Sequence, residues 1–154
     1  MSEYALKIIT IEEGFSARPY LCSEGYPTVG YGQRIGKKYA DIKFFDFFMP
    51  EPVASLWMQQ NIDYILDEME YNDDIASALE SCNAVRESVL VSMAYQMGVK
   101  GLSSFKDMLT AIEFGDFEQA SEHALDSKWA RQTPERADRH AEMLRTGEIL
   151  PYYL

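Results

Sequence analysis

Hydrophobic positions along the chain follow helical spacing, broken by one stretch of different character. Over residues 3–13, Leu6 and Ile9, joined by Ile8 and Ile11, recur at the three- and four-residue steps of an amphipathic helix, and Gly14 stops it. Arg18 to Gln33 abandons that spacing and turns rich in Tyr, Thr, Val, Gly and Pro. Gly25 divides Leu21-Cys22-Ser23 from Tyr26-Pro27-Thr28-Val29, which predicts a β-hairpin. Pro27 offers no N–H to a ladder, so its strand is expected at a sheet edge. Residues 34–50 read as a third short strand or a turn, then an aromatic-rich segment from Phe44 to Phe48.

Pro50-x-Pro52 opens a long helix over about 52–70. Leu56, Met58, Ile62, Ile65, Leu66 and Met69 recur at helical spacing with acids on the other face. A helix of that length can connect two lobes. A short helix is expected over 74–81. Asn83 then caps a helix over Ala84–Met97. Val89, Leu90, Val91, Met93, Ala94, Tyr95 and Met97 leave it almost no polar face, the pattern of a buried central helix. Gly98 ends it. Helices are predicted near 102–112 and 117–127, the latter capped by Asp116. Another starts at Thr133-Pro134 and is closed by Gly147. The predicted class is α+β and mainly helical. It is a single domain over 1–154, with a small N-terminal hairpin lobe (about 14–52 plus the first helix), a connector helix over 52–70 and a helical C-terminal lobe over 71–154.

Composition adds exclusions. The chain has 154 residues, 47% hydrophobic and 25% charged, ordinary for a globular protein and enough to bury a core. Its net charge of −11 is uneven: residues 1–50 carry six bases and six acids, whereas residues 51–80 carry eight acids and no base. Such a chain lacks the basic footprint that binds nucleic-acid phosphates. The acidic segment reads as a solvated helix face. No apolar run approaches a membrane span. The start, MSEYALKIITIEEG, has acids early and no basic segment leading into an apolar one, so it does not read as a signal peptide. Two cysteines, Cys22 and Cys82, make no disulfide scaffold. A monomer kept at first in a reducing cytosol is expected.

Chemistry converges on the hairpin. Glu13 falls in the last turn of the first helix, where the negative end of the dipole opposes ionisation. With partial desolvation it would keep its proton near neutral pH, as a general acid must. If the turn centres on Gly25, Cys22 faces Thr28 directly, and paired residues share a sheet face. An acid, a thiol and a hydroxyl would then share one cleft. Singly, each is ordinary: a Glu at a helix end is usually solvated, and a strand Cys is usually a small core residue. Gly30-Tyr31-Gly32 lacks the third glycine or Lys-Ser/Thr of a phosphate loop. His123 and His140 form no metal cluster, and no local signature pairs either with Cys22 as a thiol protease. Neither metal nor cofactor is expected.

Order and spacing raise the significance of the trio. Ile11-Glu12-Glu13-Gly14, then Tyr20, then Glu24-Gly25-Tyr26-x-Thr28-x-Gly30-x-Gly32 resembles the catalytic segment of phage lysozymes of the T-even type, glycoside hydrolase family 24. That family has Glu, eight residues, Asp or Cys, five residues, then Thr, as Glu13, Cys22 and Thr28 have here. Val85-Arg86, Met93 and Gln96-Met97-Gly98 resemble its buried central helix. Trp129-x-x-Gln132-Thr133-Pro134-x-Arg136-Ala137 with Arg145-Thr146-Gly147 resembles its C-terminal portion.

The resemblance implies a two-lobe lysozyme fold and hydrolysis of the β-1,4 bond between N-acetylmuramic acid and N-acetylglucosamine in bacterial peptidoglycan. It gives Glu13 the general-acid position, Cys22 the position more often held by Asp, and Thr28 the position that helps hold the attacking water. Arg136 matches an Arg that lies near the catalytic Glu and orients it, and Gln96 a supporting position on the central helix. Tyr95 matches an aromatic lining the sugar cleft, and Arg34 a cleft position that is usually apolar. Met108 and His123 align with other sugar-contacting positions but differ in side chain. Gln33 stands where a His is familiar. The implied reaction inverts the anomeric centre, with Cys22 as base or acceptor; a covalent, retaining role for Cys22 is the chemical alternative. A phage lysis enzyme without a leader accumulates in the host cytoplasm and depends indirectly on a holin lesion to reach the wall. A lysozyme-fold wall-binding or assembly protein without turnover is the other functional class, motivated by Cys22 and by the acidity.

Overall fold

The computed structural model describes residues 3–154. As expected, the chain is α+β and mainly helical, with one three-stranded antiparallel sheet near its start. Residue contacts divide it into two compact units, Ile9–Asn61 and Ile62–Leu154, the latter including the first helix as far as Ile8. The divisions fall inside two helices, so α1 (Glu3–Glu13) and the 21-residue α2 (Glu51–Tyr71) each contribute to both units. Ala5, Ile8 and Ile9 are the buried residues of α1, while Ile11, expected inward, is 41% exposed. On α2 the buried positions Ala54, Met58, Ile62 and Met69 fall on one stripe, and Leu56, also expected inward, is 59% exposed. Two turns of helix carry more apolar residues than one buried stripe can hold.

In the N-terminal unit, β1 (Ser16–Leu21), β2 (Pro27–Gly30) and β3 (Gln33–Arg34) lie in chain order. Two expectations fail here. Pro27 begins the central strand rather than an edge. As the first residue of β2 it supplies the ladder with a carbonyl, which accepts from the Ile35 N–H at 2.9 Å. The hairpin turn also does not centre on Gly25. Cys22 accepts from the Gly25 N–H at 2.8 Å and donates its own N–H to the Tyr26 carbonyl at 2.9 Å. Gly25 has φ +86°. This is a three-residue loop closed by a left-handed glycine, and it moves the register by two. Thr28 pairs with Tyr20, and Cys22 lies opposite Tyr26. The loop is braced by Tyr39, whose N–H donates to the Gly25 carbonyl at 2.7 Å. Buried Gln33 ties this sheet to α2: its Oε1 accepts from the Tyr31 N–H, and its Nε2 donates to the Ala54 carbonyl at 3.1 Å. After a 3₁₀ turn at Ile42–Phe44, Phe44 and Phe48 stand exposed, so the aromatic segment is not core.

In the C-terminal unit, α3 (Asp73–Leu79) leads to α4 (Ala84–Ser103), which breaks at Gly98 (φ 82°, ψ 158°) where the sequence ended it. Every residue from Ser88 to Ala94 is buried, as its apolar surface required. α5 (Lys106–Glu113) starts later than expected, α6 (Phe117–Leu125) is capped by Asp116, and α7 (Lys128–Gln132) was not foreseen. α8 (Pro134–Thr146) follows. Arg86 joins α4 to the end of α8. Its Nε donates to the Leu144 carbonyl at 2.7 Å and a terminal nitrogen donates to the Arg145 carbonyl at 3.1 Å, while its guanidinium stacks 3.4 Å from the Phe117 ring centre. A cation is thus placed at a helix C-terminus with orphan carbonyls to satisfy. Arg86→Met removes both donors and should lower stability by about 1–3 kcal/mol, measured as a shift of the urea midpoint.

His140 on α8 is fully buried, with Nε2 2.8 Å from the Ser92 hydroxyl. Burial first, then the cations of Arg136 and Arg139, hold its pKa well below the ordinary value. The folded chain keeps it neutral, whereas the unfolded chain takes up a proton near pH 6.5. Below that pH the unfolded state binds the extra proton, so stability should fall as pH drops from 6.5 toward 5. Urea midpoints across that range should show the decline, and His140→Gln should flatten it. An unaltered slope in the variant would exonerate His140.

Candidate active site

Glu13 is the last residue of α1, partly exposed. Its carboxylate lies against the backbone of Gly32: a Cβ there would come within 2.5 Å of Oε2. Gly32 also has φ +73°, so both space and backbone exclude a side chain. The second glycine of Gly30-Tyr31-Gly32 therefore admits an acid side chain rather than a phosphate. The Tyr31 hydroxyl donates to Glu51 Oε1 at 2.7 Å, and burial and then Glu51 push its pKa up to about 12.

The sheet supplies the rest of this unit's site. Thr28 on β2 pairs with Tyr20 on β1 and with Arg34 on β3. Directly opposed residues point to the same face, so Tyr20, Thr28 and Arg34 form one row. Cys22, two residues past Tyr20, shares that face diagonally from Thr28. The expected direct pairing of Cys22 with Thr28 is replaced by this diagonal, which still leaves them in contact. Thr28 is only 2% exposed, and its hydroxyl donates to the Tyr26 carbonyl at 2.8 Å. The same single proton can turn to the Cys22 sulfur.

Burial pushes the Cys22 thiol up, but the backbone N–H groups of Tyr26 and Glu24, the Thr28 hydroxyl and the Arg34 guanidinium outweigh it and hold the thiol below its ordinary range. Tyr20 is raised instead, by burial and then by the charges of Glu13 and Cys22. One phenol thus feels both candidate catalytic groups and stays a proton donor beside them. Sequence reasoning used Tyr20 only as part of a motif. Its place two residues before Cys22 was the available signal. Arg34 pairs with Glu24 at 2.8 Å and lies 3.9 Å over the Tyr26 ring centre.

The remaining site candidates belong to the C-terminal unit. Tyr95 is half-buried on α4. Gln96 Oε1 accepts from the Trp129 indole N–H at 2.8 Å, and Trp129 meets Phe105 edge-on at 6.1 Å. Arg136 is buried, and one terminal nitrogen donates to the Ser92 hydroxyl at 3.0 Å and to its carbonyl at 3.2 Å. Met108 is fully buried, which removes it as a sugar contact. Among the described residues no cluster of His, Cys, Asp and Glu could hold a metal ion, and no helix is long and apolar enough to cross a membrane.

Residues 10–142 match the family described as phage lysozyme, a span containing Glu13, Cys22, Thr28, Arg34, Tyr95, Gln96 and Arg136. The chain belongs to the phage lysozyme family. Its α+β architecture is that of a lysozyme-like fold. Over 157 residues it is 29% identical to the pre-baseplate central spike protein Gp5 of Enterobacteria phage T4, covering 92% of this chain but 27% of that protein. It is 22% identical over 162 residues to probable T4-type lysozyme 1 of Dictyostelium discoideum, covering 94% of this chain and 95% of that one. It is also 29% identical over 126 residues to the peptidoglycan hydrolase gp36 of Pseudomonas phage phiKMV, covering 82% of this chain and 13% of that protein.

The two thiols of this chain should differ sharply in reactivity. Cys82 donates its S–H to the Ala78 carbonyl at 3.4 Å, and burial pushes it up to about 12 despite nearby Arg86. The thiolate is the reacting form. Iodoacetamide at pH 7.5 should therefore label Cys22 at least tenfold faster than Cys82, read by peptide mass spectrometry. Comparable rates would contradict the site as described.

Proposed function

We propose that this phage lysozyme is a muramidase that cleaves the β-1,4 bond between N-acetylmuramic acid and N-acetylglucosamine in bacterial peptidoglycan. The observation that carries this reading is the sheet row of Tyr20, Thr28 and Arg34, with Cys22 diagonal to Thr28 on the same face and the Glu13 carboxylate seated against Gly32 between β2 and β3. Membership of the family and similarity to a peptidoglycan hydrolase support the substrate class.

Glu13, protonated, gives its proton to the glycosidic oxygen as the C1–O bond breaks. A water held by the Thr28 hydroxyl attacks C1 from the opposite face and passes its proton to the Cys22 thiolate. The product anomer is inverted. Glu13 leaves the cycle as carboxylate and Cys22 as thiol, and exchange with solvent restores both. Tyr95 is assigned to sugar contact, Arg136 and Gln96 to support. Release into the host cytoplasm followed by passage to the wall through a holin lesion is one mode of delivery. The similarity to a spike protein 27% of which is matched favours delivery as part of a particle.

Glu13→Gln is expected to fold and to lose at least 100-fold in turnover of purified peptidoglycan, because the leaving oxygen then has no acid. Retention of more than about a tenth of the activity would remove Glu13 from this role. Failure of both parent and variant to release reducing ends, with pelleting on the wall intact, would place the chain among wall-binding proteins instead. Cys22→Asp should keep activity and carry it to lower pH, since a carboxylate stays ionised where a thiol does not. Proton NMR of the first product should show the inverted anomer. A sugar adduct on Cys22 would establish the covalent route instead.

A further inference from the structure

Arg34 is held by more than its surroundings need for stability. Its backbone pairs with Thr28, its guanidinium stacks 3.9 Å over the Tyr26 ring centre, and one nitrogen lies 2.8 Å from Glu24 Oε2. The side chains of that ion pair are 49% and 55% exposed. Exposed pairs contribute about 0–1 kcal/mol, so fold stability gains little from a guanidinium held between Tyr26 and Glu24. Tyr26, on which it lies, is the residue opposite Cys22.

We propose that Arg34 is a positioning residue of the reaction: its guanidinium is the counter-cation of the Cys22 thiolate and keeps that sulfur ready to take the proton of the attacking water. The proposal rests on the reading of Cys22 as base. It asks of Arg34 something other than sugar contact.

Glu24 stands in the turn, Tyr20 on β1, and Tyr26 just before β2. Arg34 on β3 is the cation that lowers the Cys22 thiol, while Lys38 lies farther out, its Nζ 5.8 Å from the Tyr26 ring centre. Glu24 competes for the same guanidinium. An aspartate at position 22 would be ionised at neutral pH without such help, whereas a thiol is not. An arginine is suited to the task because its planar fork can stack on Tyr26 and donate in two directions at once.

The test is the pH dependence of Cys22 alkylation, which needs no turnover, followed by activity profiles on purified peptidoglycan. Arg34→Gln should move the Cys22 titration up, so that alkylation at pH 7 slows about three- to tenfold. Glu24→Gln should move it down by freeing the guanidinium. Turnover of Arg34→Gln should fall in kcat at pH 7 and recover at higher pH by the same displacement, with KM little changed. In a Cys22→Asp background, Arg34→Gln should cost little at pH 7, because the carboxylate is ionised without it. An unmoved alkylation profile would overturn the proposal. So would a rise in KM with an unmoved pH profile, the signature of a sugar contact. A fully active Cys22→Ala protein would overturn the reading of Cys22 as base, a failure distinct from that of the alkylation result.

Discussion

The three-residue loop between β1 and β2 is the constraint on which the candidate site depends. Gly25 adopts a left-handed conformation that closes the loop on Cys22, and Tyr39 braces it from outside. A two-residue change of register follows from that one turn. It places Tyr20, not Cys22, opposite Thr28, and brings Cys22 to the backbone N–H groups of Glu24 and Tyr26. Had the turn centred on Gly25, the thiol would sit further along the strand, away from those donors. A side chain at position 25 would be excluded twice, by backbone conformation and by collision with the Tyr39 ring. The loop thus sets geometry and electrostatics together.

The C-terminal unit is organised by a different device. α4 is buried along one whole stretch, so its polar groups must be satisfied within the unit. Ser88 donates to the Ala84 carbonyl at 2.7 Å, and Ser92 meets both Arg136 and His140. Arg86 and Asn83 at its start reach the end of α8, where Asn83 Nδ2 donates to the Gly147 carbonyl at 2.9 Å. One end of the buried helix is therefore fixed by charge and hydrogen bonds, and its middle by apolar packing. Gln96, near the break at Gly98, fixes the indole of Trp129.

Much of this was legible in the chain because the signals were local. Asn83 and Asp116 cap the helices that the sequence placed after them, and Gly98 breaks α4 where expected. The run from Val89 to Ala94 has no polar face to show solvent, so its burial could be read directly. The failures occurred where a local rule left two outcomes. Pro27 marks a strand that cannot donate there, which fits an edge or the first residue of a central strand, and only pairing with β3 decides. Leu56 and Ile11 fit helical spacing as well as their buried neighbours do, but a helix hides one stripe, and which stripe depends on what packs there. α7 was missed because five residues carry too little periodicity. Glu13, Cys22 and Thr28 were singled out by spacing, and the sheet register brings Cys22 and Thr28 to one face. Tyr20 was not weighed because an exposed strand tyrosine has no distinguishing pattern until its pairing with Thr28 is known.

The thiol at position 22 poses a sharper energetic problem than a carboxylate would at the same place. An unperturbed thiol titrates near 8.5 and is only a few per cent ionised at pH 7, whereas a carboxylate titrates near 4 and is already charged. Each unit of lowering corresponds to about 1.4 kcal/mol of preferential stabilisation of the thiolate. Desolvation works against it, so hydrogen bonds and charge must supply both that amount and the desolvation cost. Two backbone N–H groups from the turn, one hydroxyl from β2 and one guanidinium from β3 act in the same direction, and their sum prevails. The backbone donors are fixed by the loop and would serve an aspartate equally well. The guanidinium is the side-chain contribution that a carboxylate would not require. In the proposed mechanism the Cys22 thiol and the Arg34 guanidinium are two halves of one electrostatic arrangement.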